Sequence, residues 1–76
     1  MAETLFDRVV AASGLSPVFG RSAIERACMR VQVVTAELTP ATLATALDSI
    51  RRALAVFLKP AELEQRMAAI TLLTRT

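Results

Sequence analysis

The chain has 76 residues, of which 54% are hydrophobic and 4% aromatic, and its formal net charge is +2. A domain of this size buries only about 60% of the surface that its unfolded chain exposes, so its stability is small unless a disulfide, a metal or a partner adds to it. One cysteine and no histidine exclude an internal disulfide and argue against a closed zinc site, which leaves association as the available reinforcement.

The first predicted helix covers about residues 3–13, where Leu5 and Val9 fall in line at helical spacing. Gly14 ends it, because glycine readily adopts the left-handed conformation favoured just past a helix end. A second helix begins at Ser16 and Pro17, which are typical of an N-cap followed by the first helical position. Its apolar pattern fails after Val31.

The third predicted helix begins with the same signal, Thr39 and Pro40, and runs to about Leu58. Its inner stripe, at 3.6-residue spacing, comprises Leu43, Leu47, Ile50, Leu54, Phe57 and Leu58. Pro60 disfavours helical geometry in the residue before it and so separates the third helix from a fourth. The inner face of the fourth helix comprises Leu63, Met67 and Ile70.

Strand content is expected to be close to nil, because the only β-like stretch, residues 31–35, has no partner strand for its backbone. The sequence therefore predicts an all-α fold, a compact four-helix bundle with a long central third helix. Residues 1–76 are expected to form a single helical domain.

Reactive groups are few. The chain has no histidine, tyrosine or tryptophan, and its carboxylates fall on predicted polar faces, at helix starts or in loops. Cys28 lies on the inner stripe of the second helix, where a free cysteine behaves as a small buried hydrophobe. We therefore expect no enzymatic activity, no catalytic or metal-binding residues, no cofactor and no small-molecule substrate.

The triplet Asp48, Ser49 and Ile50 resembles the Asp-Ser-Leu signature at which carrier proteins accept a phosphopantetheine arm. In that family the serine stands where a helix begins after a long loop. Here Ser49 falls midway along the third predicted helix of a basic chain, so chance composition is the favoured interpretation and no family is assigned.

Four arginines offer a second functional hypothesis. Arg26 and Arg30 are one turn apart on the outer face of the second helix, and Arg51 and Arg52 are adjacent in the third. They make a small DNA-binding regulator the alternative function, although the low net charge and the lack of interleaved aromatic residues favour an ordinary solvated face.

Several large apolar side chains remain after the inner stripes are assigned. They are Val10, Phe19, Val33, Val34, Val56, Leu72 and Leu73. A contiguous exposed apolar patch usually marks a contact surface, so these residues are the predicted partner interface. The leading hypothesis is a noncatalytic protein–protein interaction or oligomerisation module, an adaptor or assembly protein that forms a homodimer or binds a larger protein.

Location follows from what the chain lacks. Its first residues are acidic where a secretory signal would be basic, and no run approaches the roughly 20 apolar residues of a membrane span. A cytoplasmic protein with no membrane partner is expected. Eight arginines against one lysine, with fourteen alanines, suggest a GC-rich bacterial genome.

Overall fold

The computed structural model describes residues 3–75, and these residues form four α-helices and two short 3-10 turns, with no strand among them. The helices are α1 (Leu5–Ala12), α2 (Pro17–Arg30), α3 (Pro40–Ala55) and α4 (Pro60–Leu72), and the 3-10 turns are Thr35–Glu37 and Leu73–Arg75. Helix α3 packs against α2 and α4, and α1 packs against α2 and α4. The predicted all-α fold of four helices is confirmed.

Capping residues explain where the helices begin. Proline occupies the first position of α2, α3 and α4, where its missing amide proton costs nothing. The Ser16 side chain accepts the backbone amide of Phe19 at the start of α2, and Thr39 accepts that of Thr42 at the start of α3. Both predicted starts are therefore confirmed.

Helix α1 begins with a reciprocal cap and is tied to α2 by an arginine. Thr4 and Asp7 each accept the other's backbone amide. Arg21 of α2 donates to the Asp7 carboxylate at 3.1 Å and lies 5.1 Å from the centre of the Phe6 ring. The hydrogen bond from the Thr4 amide, with those from the Thr4 side chain and Arg21, holds the pKa of the Asp7 carboxyl below its ordinary value.

The third helix is shorter than predicted. It ends at Ala55 rather than near Leu58 and has 16 residues, against 14 in α2. The chain must leave helical geometry before Pro60, and the turn begins early enough to change which side chains face inward. Leu58 is half-buried against the core, whereas Phe57 is 52% exposed and departs from the predicted inner stripe.

No helix among residues 3–75 is long and apolar enough to cross a membrane.

The core is aliphatic and draws on all four helices. Its fully buried large side chains are Val9, Ile24, Leu43, Ile50, Leu54 and Ile70. Val10 is also buried, contrary to its assignment to the predicted interface. A side chain at Gly20 of α2 would meet the Cγ1 of Val10 at 3.0 Å, so the missing side chain of that glycine makes room for the valine.

Val33 is the second residue of the predicted interface that the structure places in the core. Its amide donates to the carbonyl of Cys28, and that of Gln32 donates to Met29, which is the hydrogen-bond pattern of a Schellman cap at the end of α2. Gln32 takes the left-handed conformation that this cap requires, with φ 60°. The cap turns Val33 back against the last turn of α2, so the β-like stretch becomes a helix terminus.

Gly14 ends α1 as predicted, with φ 75°. A Cβ atom at this position would lie 2.6 Å from the Nε atom of Arg66, which packs over the turn from α4. The neighbouring Ser13 is fully buried; its hydroxyl donates to the carbonyl of Val10 at 2.6 Å and accepts the amide of Leu15. The turn between α1 and α2 therefore depends on a residue without a side chain.

Replacing Gly14 with alanine is expected to lower the free energy of unfolding by about 1–2 kcal/mol, because an L-residue is strained at this positive φ, with a further loss from the displaced Arg66 side chain. Urea denaturation followed by circular dichroism measures the change. In an Arg66→Ala background the loss should shrink toward the backbone contribution. An unchanged unfolding midpoint for Gly14→Ala would contradict this account of the turn.

A candidate binding groove between helices two and three

An open groove of about 420 Å³ lies between α2 and the C-terminal half of α3. We call it the α2–α3 groove and divide its lining into three kinds of residue. The small ones are Ser22, Ala23, Ala27 and Ala53. The large apolar ones are Phe19, Val56 and Phe57, and the charged ones are Arg26, Arg30 and Arg52. Apolar and cationic side chains therefore meet at one concave surface.

Beside the groove, α2 and α3 are joined by a direct contact. The hydroxyl of Ser49 in α3 donates to the backbone carbonyl of Ala27 in α2 at 2.8 Å, in a buried contact. That carbonyl is one of the last four of α2, which lack an intrahelical partner at a helix end. Since the serine side chain is short, the bond is possible only where the two backbones nearly touch.

The large apolar residues of the groove are substantially exposed. The exposed fraction is 62% for Phe19, 80% for Val56 and 52% for Phe57. Phe19 and Val56 belong to the interface predicted from the sequence, and the structure brings them to the same groove. Phe57 was missed because the helical stripe was extended past Ala55, and an earlier end of α3 before Pro60 was the signal that would have found it.

The arginines give the groove a positive rim. Arg26 and Arg30 lie one turn apart on α2, and among residues 3–75 neither forms an ion pair. Arg52 pairs with Asp48 at 3.2 Å, but both side chains are about three-quarters exposed, and exposed pairs of this kind contribute little. The rim therefore presents cations that the fold itself hardly neutralises.

Arg51, the fourth arginine of the predicted nucleic-acid contacts, lies elsewhere. Its guanidinium binds both carboxylate oxygens of Glu64 in α4. Hydrogen bonding to Arg51 holds the pKa of the Glu64 carboxyl below its ordinary value, and the same contact raises the pKa of Arg51. Three of the four arginines predicted to contact nucleic acid thus line the groove, and the fourth, Arg51, joins α3 to α4.

The remaining residues of the predicted interface do not join the groove. Val34 is 59% exposed in the connection after α2, and Leu72 is 61% exposed at the end of α4. Leu73 is half-buried against the core. Val18 and Met29 are also exposed outside the groove and were missed, since each lies on the outward side of a helix where no pattern distinguishes it.

The two side chains with nucleophilic atoms considered from the sequence are both turned inward. Cys28 is fully buried in the core, and burial raises the pKa of its thiol. Ser49 is 9% exposed, and its hydroxyl is bonded to Ala27. A serine held this way in mid-helix does not resemble a carrier attachment site, in agreement with the interpretation of the triplet as chance composition.

Comparison of the chain with protein-family models, curated proteins and solved structures finds no match. The chemistry of the α2–α3 groove is therefore the basis for a functional proposal.

Substituting Ser49 with alanine is expected to lower the free energy of unfolding by about 1–3 kcal/mol, because the buried Ala27 carbonyl loses its donor. Chemical denaturation measures this loss. Ser22→Ala is the matched control: it removes an exposed hydroxyl at the same groove and should change stability by less than about 0.5 kcal/mol. Equal effects of the two substitutions would show that the interhelical hydrogen bond is unimportant.

Proposed function

We propose that the protein is a noncatalytic helical interaction module, which receives an apolar segment of a partner protein in the α2–α3 groove. The observation that carries the proposal is the gathering of Phe19, Val56 and Phe57, all more than half exposed, at one concavity. Single exposed hydrophobic residues are ordinary on a protein surface, whereas a contiguous patch usually marks a contact site. Insertion of an amphipathic helix into a groove is a common mode of peptide recognition.

Covering this patch would be energetically significant for so small a protein. Full burial of one large apolar side chain contributes about 1.5–3 kcal/mol. Covering the exposed parts of Phe19, Val56 and Phe57 therefore contributes on the order of 3 kcal/mol. A chain of this length is expected to have a total stability of roughly 4–11 kcal/mol. An occupied groove would therefore stabilise the domain appreciably, in an adaptor or assembly role that we place in the cytoplasm.

The charges of the groove bear on whether its partner is a second copy. In a twofold dimer each residue meets its own or a reciprocal counterpart. A dimer formed groove to groove would bring the rim arginines of both copies into one interface, where Asp48 is the one carboxylate of each copy that pairs with them among residues 3–75, and such an accumulation of like charge opposes association. The groove therefore suits a different chain, while a dimer through another face, such as that around Leu72, stays a separate prediction.

Site-specific photo-crosslinking in cells that express the protein tests the proposal. A benzophenone amino acid in place of Val56, in the groove, is expected to form a discrete adduct with another protein. The same amino acid in place of Val18 is the matched control, because the two valines are 80% and 77% exposed and Val18 lies outside the groove. Adducts at neither position, or identical adducts at both, would overturn the proposal.

A nucleic-acid regulator is the second candidate, favoured by the three arginines that share the groove. It predicts that duplex DNA binds at low salt and that Arg26→Gln or Arg30→Gln lowers the slope of log affinity against log salt by about one each. Arg51→Gln is the control and should leave the slope unchanged, since Arg51 is engaged by Glu64. Fluorescence anisotropy across a salt series measures these slopes, and no binding at low salt removes this candidate.

A further inference from the structure

We infer that the segment received by the α2–α3 groove is an acidic amphipathic helix, with its apolar residues and its carboxylates about two to three turns apart. The inference rests on the proposed function and adds the chemistry of the partner. It follows from two properties of the groove: the lack of neutralising acids around its arginines, and the separation of its apolar and cationic parts along α2.

The acidic residues of this chain neutralise little of the positive charge at the groove rim. Asp48 is the one carboxylate that pairs with a groove arginine among residues 3–75, and Glu25, the neighbour of Arg26 in sequence, lines a different depression on the side of α1. A partner that covered Arg26 and Arg30 without supplying anions would remove water from two cations and return nothing for it. The occupant must therefore bring its own negative charges.

The spacing of the lining residues predicts how far apart the apolar and acidic residues of the occupant lie. On α2, Arg26 and Arg30 follow Phe19 by seven and eleven residues, which at 1.5 Å per residue places them about 10 and 16 Å farther along the helix. Phe57 follows directly after Val56 beyond the end of α3 and lines the same groove as Phe19. A helix lying along α2 has the same rise, so the carboxylates that meet Arg26 and Arg30 are expected seven to eleven residues from the apolar residue that packs on Phe19. Arg52 is only four residues from Val56 and can meet a carboxylate nearer to the anchors.

This geometry also distinguishes a peptide from other anionic ligands. Duplex DNA could reach Arg26, Arg30 and Arg52, but its phosphates do nothing for the exposed rings of Phe19 and Phe57, because its bases are already stacked on one another. An acidic helix satisfies both parts of the groove at once. Carboxylates at the rim would chiefly speed association and select the partner, while the apolar anchors supply most of the affinity.

The test is a selection from an unbiased library of helical peptides of about 16 residues, displayed and enriched on the intact folded protein. Binders are then sorted by whether they need the groove: they should be lost on Phe19→Ala and retained on Val18→Ala. The groove-dependent peptides are expected to be enriched in aspartate and glutamate seven to eleven residues from a pair of apolar positions.

The contribution of the charges is measured by a double-mutant cycle with the best selected peptide. Changing one of its carboxylates to the amide should weaken binding about two- to fivefold at low salt, as expected for a solvent-exposed ion pair. For one carboxylate, the partner of Arg26, the same change should have no effect on the Arg26→Gln protein. It should keep its effect on Arg8→Gln, which alters an exposed arginine of α1 that lacks an ion pair among residues 3–75.

Four results would overturn the inference. Groove-dependent peptides with no acidic preference, or with no acids seven to eleven residues from an apolar anchor, would show that Arg26 and Arg30 do not select charge. A library without groove-dependent peptides would exclude a helical occupant. Binding of duplex DNA or of phosphatidylserine vesicles that is lost on Arg26→Gln, with no peptide binding, would assign the arginines to phosphate. A partner crosslinked at position 56 whose segment lacks acids would leave the proposed function standing and remove only this inference.

Discussion

The close contact between α2 and α3 is the constraint on which the rest of the structure depends. It includes the buried hydrogen bond from Ser49 to the carbonyl of Ala27, and small side chains line the groove beside it. Those same small residues, Ala23 and Ala53 among them, cannot fill the space that opens where the helix surfaces diverge. The groove therefore lies directly beside the contact that holds the two helices together, with Ala27 common to both.

The arginines of the chain divide by what they contact. Arg21, Arg51 and Arg66 each lie against another part of the fold: Asp7 and Phe6, Glu64, and the Gly14 turn respectively. Arg26 and Arg30 contact no acid among residues 3–75 and line the groove instead. A low net charge is thus compatible with a locally positive surface, because three acids pair with arginines elsewhere in the fold while Arg26 and Arg30 line the same groove.

Much of the fold could be predicted from the sequence, because caps and prolines mark helix starts through local hydrogen bonding. What could not be predicted depends on contacts distant in sequence or on rare backbone conformations. Val33 is buried because Gln32, a residue without special preference for positive φ, adopts it at the end of α2. Nothing in the order of residues shows that Arg51 would meet Glu64 while its neighbour Arg52 turns to the groove, since adjacent helical positions point about 100° apart and the packing decides which is engaged.

Fewer large apolar side chains are left outside the core than the sequence suggests, and those that are left are not spread evenly over the surface. Gly20 makes room for one predicted interface valine, and a helix cap buries another. Yet of the three phenylalanines in the chain only Phe6 is buried, while Phe19 and Phe57 remain more than half exposed at the same groove. Phenylalanine and arginine are both enriched where proteins meet. The α2–α3 groove thus combines two exposed aromatic rings with arginines that form no ion pair among residues 3–75.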